Sequence, residues 1–410
     1  INFNQSLDSW DTSNVINMSK MFNQSSKFNQ PIFTKTGNVK DMSGMFSNAE
    51  DFNQPLSGWD TSIVTNMSGM FDNAESFNQS LDLWDTGNVT DMSRMFINAL
   101  KFNQPIFTDT SKVTDMSGMF DNAESFNQSL DLWDTGKVTD MNRMFYESGF
   151  FNSPVFTKTD NVTNMNQMFY GATSFDKPLD SWDTSNVTDM NKMFYGATSF
   201  NQPLDNWDTS NVTNMKGMFG LSTSFNQPLS GWDTSNVTDM SWMFGRATSF
   251  NQPLDNWDTS NVTDMSWMFN DATSFDQSLD NWNINKVTDM RQMLNNSLKY
   301  NSEKYKSLEN TWFYKNTEAI QLKIGDYNIG GATFCNDITG ESKQESKQES
   351  KQESKQESKL ESKQESEQES EQESYERKRN EITASLNEAM AKRDTNTIRN
   401  KLKEMKELKE

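Results

Sequence analysis

Methionine is the residue whose abundance first invites a chemical reading. The 410-residue chain has 26 Met, and most recur as pairs three residues apart, such as Met265 and Met268. Thioether sulfur is a soft donor that suits Cu(I). Recurring aspartates, among them Asp183, Asp189, Asp208, Asp233 and Asp239, could instead hold calcium between successive turns. Asn-Val-Thr at Asn186, Asn236 and Asn261 matches the N-glycosylation pattern. Other chemistries are excluded by composition. The chain has no His, which removes Ser-His-Asp and Cys-His catalysis and His-ligated metals. One Cys, Cys335, removes intramolecular disulfides and thiolate zinc sites.

Charge narrows the partners. The net charge is −21 and the pI about 4.5, which argues against a nucleic-acid binder. Residues 341–410 contribute −2 and residues 1–340 contribute −19, so a basic or cationic partner is favoured electrostatically. No run of 18 apolar residues exists, so no transmembrane segment is expected. The apolar fraction is 33% and the mean hydropathy −0.85, poor for a packed globule. A repeat that places its few apolar residues economically resolves this.

Residues 1 to about 300 repeat one unit twelve times. Its anchors are Val15, Val39, Val64, Val89, Val113, Val138, Val162, Val187, Val212, Val237, Val262 and Val287, in steps of 25 residues with three of 24. The short steps end at Val39, Val113 and Val162, where Phe33, Phe107 and Phe156 replace the Trp segment. Met stands three and six residues after each Val and accounts for 24 of the 26 Met. A periodic core face explains these Met better than a copper site does. Val262, Met265, Met268, Phe269 and Ala272 fall at spacings that match one face of a short helix. Asn261 would cap it, with Asp264 in its first turn. Caps and turns then explain the Asp and Asn columns without calcium or glycan. Phe250 to Leu254 reads as a short extended segment with Pro253 at its margin.

The expected fold is therefore α/β: a leucine-rich-repeat-like solenoid of about twelve short strand–turn–helix units, joined by a parallel strand ladder. Identical residues would align in columns, and the Asn29, Asn53, Asn78 and Asn103 column is expected to bond along the stack, because buried amides need partners.

The recurring Trp-Asp-Thr-Ser-Asn-Val-Thr-Asp-Met, two residues, Met-Phe, then Phe-Asn-Gln-Pro-Leu resembles the BspA-like leucine-rich-repeat family, in particular its 25-residue branch, common in bacterial surface lipoproteins and also present in some protists and large DNA viruses. The resemblance covers about 300 residues. It implies a solenoid, a role in surface attachment or protein binding, and no catalytic residues. One column departs from the family: where many members carry Cys, this chain has Ala74, Ala123, Ala172 and Ala197. No lipid-attachment Cys, wall-sorting signal or membrane anchor is visible.

Beyond the repeats, residues 301–340 are expected to cap the solenoid. Residues 341–374 are Glu-Ser-Lys-Gln tetrapeptides, a disordered linker. Residues 375–410 carry two amphipathic runs that read as helices for self-association or docking. The first residue falls inside a repeat, so either an N-terminal cap is missing or the chain is a fragment.

The positions that vary between repeats are the candidate partner-binding residues. They are Tyr146, Tyr170 and Tyr195 after three successive Met-Phe pairs, and Trp242 and Trp267 before two successive second Met. Adjacent exposed aromatics suit a protein or glycan contact. The alternative is lateral packing between repeats, which stands level for the Trp and is favoured for the Tyr. No metal and no cofactor is expected. The expected function is a non-enzymatic interaction or adhesion solenoid, displayed on a surface; the alternative is an intracellular or virion-associated scaffold with a tethering tail. Catalysis needs one shaped pocket, whereas every Asp pair here recurs many times.

Overall fold

Two backbone positions in every repeat decide the architecture. In the computed structural model, which describes residues 3–279 and 281–297, the fifth and ninth residues after each anchoring Val have positive φ. They run from Lys20 and Gln24 in the first repeat to Gln292 and Asn296 in the last, twenty-four residues with φ between 51° and 71°. A left-handed residue every fourth position cannot belong to an α-helix. Among the described residues there is no helix. The expected strand–turn–helix unit, and with it the α/β class, is incorrect.

The Val-Met-Met-Phe segment is a run of tight turns. The Met268 N–H donates to the Met265 carbonyl at 3.3 Å, and the Ala272 N–H to the Phe269 carbonyl at 3.0 Å. In each four-residue turn the third residue, Trp267 or Asp271, has positive φ, as type II turns require. The intervening N–H groups leave the repeat. Those of Met265, Trp267, Phe269 and Asp271 donate to the Asp289, Arg291, Met293 and Asn295 carbonyls of the next repeat at 2.8 Å. This accounts for backbone groups that a helix would have satisfied internally. Turn corners i and i+3 face the same side, so two consecutive turns reproduce the apolar spacing of a helix face.

No full strand forms among the described residues either. Successive repeats meet through one isolated parallel bridge each, from Asn17↔Asp41 to Asp264↔Asp289. The residues between Phe and Leu are held by side chains. The Asn53 N–H donates to Asn29 Oδ1 at 2.9 Å, Asn78 N–H to Asn53 Oδ1 at 2.9 Å and Asn103 N–H to Asn78 Oδ1 at 3.0 Å. The expected Asn column therefore does bond along the stack. Gln54 and Gln79 reinforce it through Nε2.

Inside the coil the columns are closed. Val, both Met, both Phe, Leu and Trp of the interior repeats are buried; Met165, Met168, Phe169 and Phe175 are 0% exposed. The Met columns are core, as their periodicity indicates. The two Phe of a repeat stack at about 4 Å (Phe46 on Phe52, 4.0 Å), and each stacks on its counterpart in the next repeat (Phe46 on Phe71, 5.6 Å). Trp232 lies over Trp257 at 6.2 Å with only 2° between the planes. In the 24-residue repeats Phe fills the Trp slot: Phe107 stacks on Trp133 at 5.8 Å. In the core Trp column from Trp59 to Trp282, each indole N–H donates to a carbonyl of the preceding repeat, as from Trp207 to Leu179 at 3.0 Å.

The Asn and Asp expected to cap helices perform other tasks. Asn261 Nδ2 donates to the Ser235 carbonyl of the preceding repeat at 2.7 Å. Asp264 Oδ1 accepts the Ser266 N–H at 2.8 Å, an Asx turn. The chain divides into Ile1–Phe334 and Cys335–Glu410, and all described residues lie in the first unit. The cap expected at 301–340, the linker at 341–374, the helices at 375–410 and Cys335 lie outside the described residues.

Candidate functional site

The interior columns are nearly invariant from repeat to repeat, so the repeats differ in their outward columns, and the outer flank of the turns gathers several of these. Three columns make that flank: the fifth, eighth and ninth residues after each Val. The fifth and ninth carry the positive φ, which turns their side chains away from the core.

The sequence-predicted aromatics all lie there, and all are half-buried. Tyr146 stacks on Tyr170 at 4.6 Å, and Tyr170 on Tyr195 at 5.0 Å. The guanidinium carbon of Arg143 sits 3.8 Å from the Tyr146 ring centroid and closes the file at one end. At the other end Tyr195 lies against Gly220, where a Cβ would stand 2.6 Å from its ring. The glycine makes room for the ring. Lys192 Nζ stands 5.4 Å from the Tyr195 centroid. Its burial, and then the neighbouring Lys216, lower its pKa.

Trp242 and Trp267 form a separate pair, stacked at 4.8 Å with 5° between planes. Trp242 covers Gly245, where a Cβ would meet its ring at 2.7 Å. The structure thus brings Tyr146, Tyr170 and Tyr195 together and Trp242 and Trp267 together. Each ring gives one face or both to a neighbouring side chain and keeps only part of its surface for solvent. Asn270, 2% exposed in the same repeat as Trp267, has an Nδ2 without a hydrogen-bond partner.

A groove on this flank is absent from the sequence reading. It has a volume of about 520 Å³ and is lined by Arg94, Gly118, Asp121, Asn122, Arg143 and Tyr146, with Ile97, Asn98, Ser117, Asn142 and Glu147 around them. Its cause is a gap: in the fifth column Gly118 stands between Arg94 and Arg143. Asp121 is only 7% exposed. Burial raises its carboxyl above the ordinary value, opposed by its bond to Arg143. Arg143 grips it through Nε and Nη2, each 2.8 Å from Asp121 Oδ2. The variable fifth and eighth columns carried the signal for this groove, but variation in Arg, Gly and Asp is less conspicuous than a run of Tyr.

The Asp columns are used up in local bonds: Asp183 and Asp239 accept the Ser185 and Ser241 N–H of their own turns, and Asp176 and Asp205 accept the Asn201 and Gly231 N–H of the next repeat. Among the described residues no group of three or more Asp, Glu, His or Cys side chains converges to hold a metal ion, and no helix is long and apolar enough to cross a membrane.

The profile of a family described as "Mycoplasma protein of unknown function, DUF285" matches residues 1–108, 79–158, 156–244 and 202–307. Its successive matches span the repeat array from end to end. No curated protein matches the chain.

Proposed function

Since the chain belongs to the DUF285 family of tandem-repeat proteins, we propose that it is a non-enzymatic interaction solenoid, displayed on a surface and binding a protein or glycan partner through the outer flank of its turns. The observation that carries this reading is the concentration of half-buried aromatic side chains on that flank. Twelve repeats share one interior, yet Tyr146, Tyr170, Tyr195, Trp242 and Trp267 stand only in the outward columns. Large amphipathic rings held in stacks offer contact area at small entropic cost, because neighbours already fix their rotamers. The acidic repeat region adds long-range attraction for basic partners. The same family of repeats resembles BspA-like proteins, whose solenoids act in attachment.

The test is binding of the full chain to a printed panel of purified extracellular proteins and glycans. Trp242→Ala combined with Trp267→Ala should weaken the strongest signal at least about tenfold, the scale of a lost aromatic anchor. Full retention by the double variant removes the Trp pair from the binding surface. Labelling of intact cells by an antibody against the folded chain checks display; labelling only after permeabilisation refutes it.

A further inference from the structure

We propose that the groove between Arg94 and Arg143 binds a neutral sugar residue. The proposal rests on the reading of this flank as the binding face, and it assigns a ligand class to one place on it.

The first argument is an unsatisfied atom. Asn98 Nδ2 donates to Asn73 Oδ1 at 2.7 Å, and Asn122 Nδ2 donates to Asn98 Oδ1 at 2.6 Å. This amide ladder stops at Asn122, because the next residue of the column is Glu147 rather than Asn. Asn122 is 7% exposed, lines the groove, and its Oδ1 has no hydrogen-bond partner. A buried acceptor without a donor is costly, and a ligand hydroxyl satisfies it once the groove-lining side chains over Oδ1 shift aside.

The second argument is the complementary donor. Arg94 is exposed, with the carboxylates of Asp72 and Asp121 within electrostatic reach. Its stem runs along Gly118, whose missing side chain opens the floor; a Cβ there would stand 3.7 Å from Arg94 Cγ. A hydroxyl is both donor and acceptor, so adjacent hydroxyls of one pyranose engage Asn122 Oδ1 and Arg94 together.

Charge and size select the class. Two cations, Arg94 and Arg143, face two anions, Asp121 and Glu147, and Arg143 is already bonded to Asp121. Asp72 also lies within electrostatic reach of Arg94 and Asp121, so the balance leaves no positive charge to select an anion. Ile97 is the one aliphatic side chain in the lining, and Arg143 and Tyr170 flank the Tyr146 ring. The groove therefore lacks the apolar pocket that anchors a peptide side chain. Its 520 Å³ lies within the roughly 300–1,000 Å³ of small-ligand sites.

The experiment is a printed array of neutral oligosaccharides built from galactose, glucose, mannose and N-acetylglucosamine, with sialylated counterparts and extended peptides as further arms. It is probed with the full chain, with Arg94→Gly, and with the Trp242→Ala, Trp267→Ala double variant. Gly already occupies the Arg94 column at Gly44, Gly69, Gly118 and Gly217, so Arg94→Gly keeps the backbone conformation while it removes the whole side chain, guanidinium included. The expected result is a neutral glycan held by the wild type and by the Trp variant, and lost at least about tenfold by Arg94→Gly with a melting temperature no lower than that of the wild type, since glycine relieves the positive φ at this position. Absence of any neutral glycan signal, a signal confined to sialylated glycans or to peptides, or equal binding by Arg94→Gly overturns the proposal. Failure of the broader reading shows separately, as an unaffected Trp double variant on its own partner.

Discussion

Gly69→Ala separates a coil of turns from a row of helices by the sign of its effect. Gly69 has φ +58°, and a Cβ built on it meets only the Asp72 Cβ at 3.8 Å, an ordinary van der Waals contact. Steric exclusion by neighbours therefore contributes nothing, and the backbone conformation is isolated. Holding a residue with a side chain in the left-handed region costs about 1–2 kcal/mol. Replacing Gly by Ala also restricts the unfolded chain, which returns about 0.4–1 kcal/mol. The balance is a loss of about 1 kcal/mol. In a helix interior the same substitution would stabilise by about 1 kcal/mol, so the two architectures differ by about 2 kcal/mol and in sign. Thermal unfolding followed by tryptophan fluorescence reads it. For a body of this size about 1 kcal/mol moves Tm by roughly 2–4 °C, and the expectation is a fall of that order. A rise in Tm would refute the turn assignment. So would an unchanged Tm accompanied by slower exchange of the Gly69 amide, which now donates to the Ser93 carbonyl of the next repeat at 2.8 Å.

Asn53→Ala removes the acceptor shared by the Asn78 N–H and Gln79 Nε2; a loss of about 1–3 kcal/mol is expected, read as a lower urea midpoint at constant slope. Asp264→Asn keeps an oxygen for the Ser266 N–H, and Asn already fills that column at Asn66, Asn164 and Asn214. Burial first, then Asp239 and Asp289, raise the Asp264 carboxyl above its ordinary 3.8. A raised acid stabilises the fold when protonated and loses that contribution as pH climbs through the raised value. Asp264→Asn should therefore raise Tm at pH 7 and leave it unchanged near pH 3; a Tm gain that is equal at both pH values would exclude the titration as its cause.

How much of this was legible in the sequence depends on which signal is considered. Period and column identity were plain, because Val, Met, Phe and Trp recur at fixed offsets; the core follows directly, and so does the bonded Asn column. The element type was misread for a geometric reason. Corner residues of successive four-residue turns share a side, and their spacing coincides with that of a helix stripe. The distinguishing mark was in the fifth and ninth columns, where Gly44, Gly69, Gly118 and Gly217 alternate with Asn48, Asn73, Asn98 and Asn122. Those are residues that tolerate positive φ and disfavour helix interiors. Lys192, Leu221, Trp242 and Trp267 occupy the same columns and obscured the mark. Tyr and Trp on the flank were visible as types, but their mutual stacking was not. The groove depends on Gly118 standing between two Arg, a relation that only the stacking of repeats creates.

The near-absence of rotation between Trp planes, 2° from Trp232 to Trp257, makes neighbouring repeats interchangeable cassettes. Excision of residues 188–212 would join Val187 to Thr213, and Asn-Val-Thr would read on unbroken. The donors of one coil would find the same carbonyls one rung further along. Length is therefore a free variable of this architecture. A duplicated or deleted cassette changes the reach of the array and the order of side chains along its flank, while the core columns meet like residues across the new junction. Gain or loss of whole cassettes thus reorders the outward side chains while the core keeps its pattern.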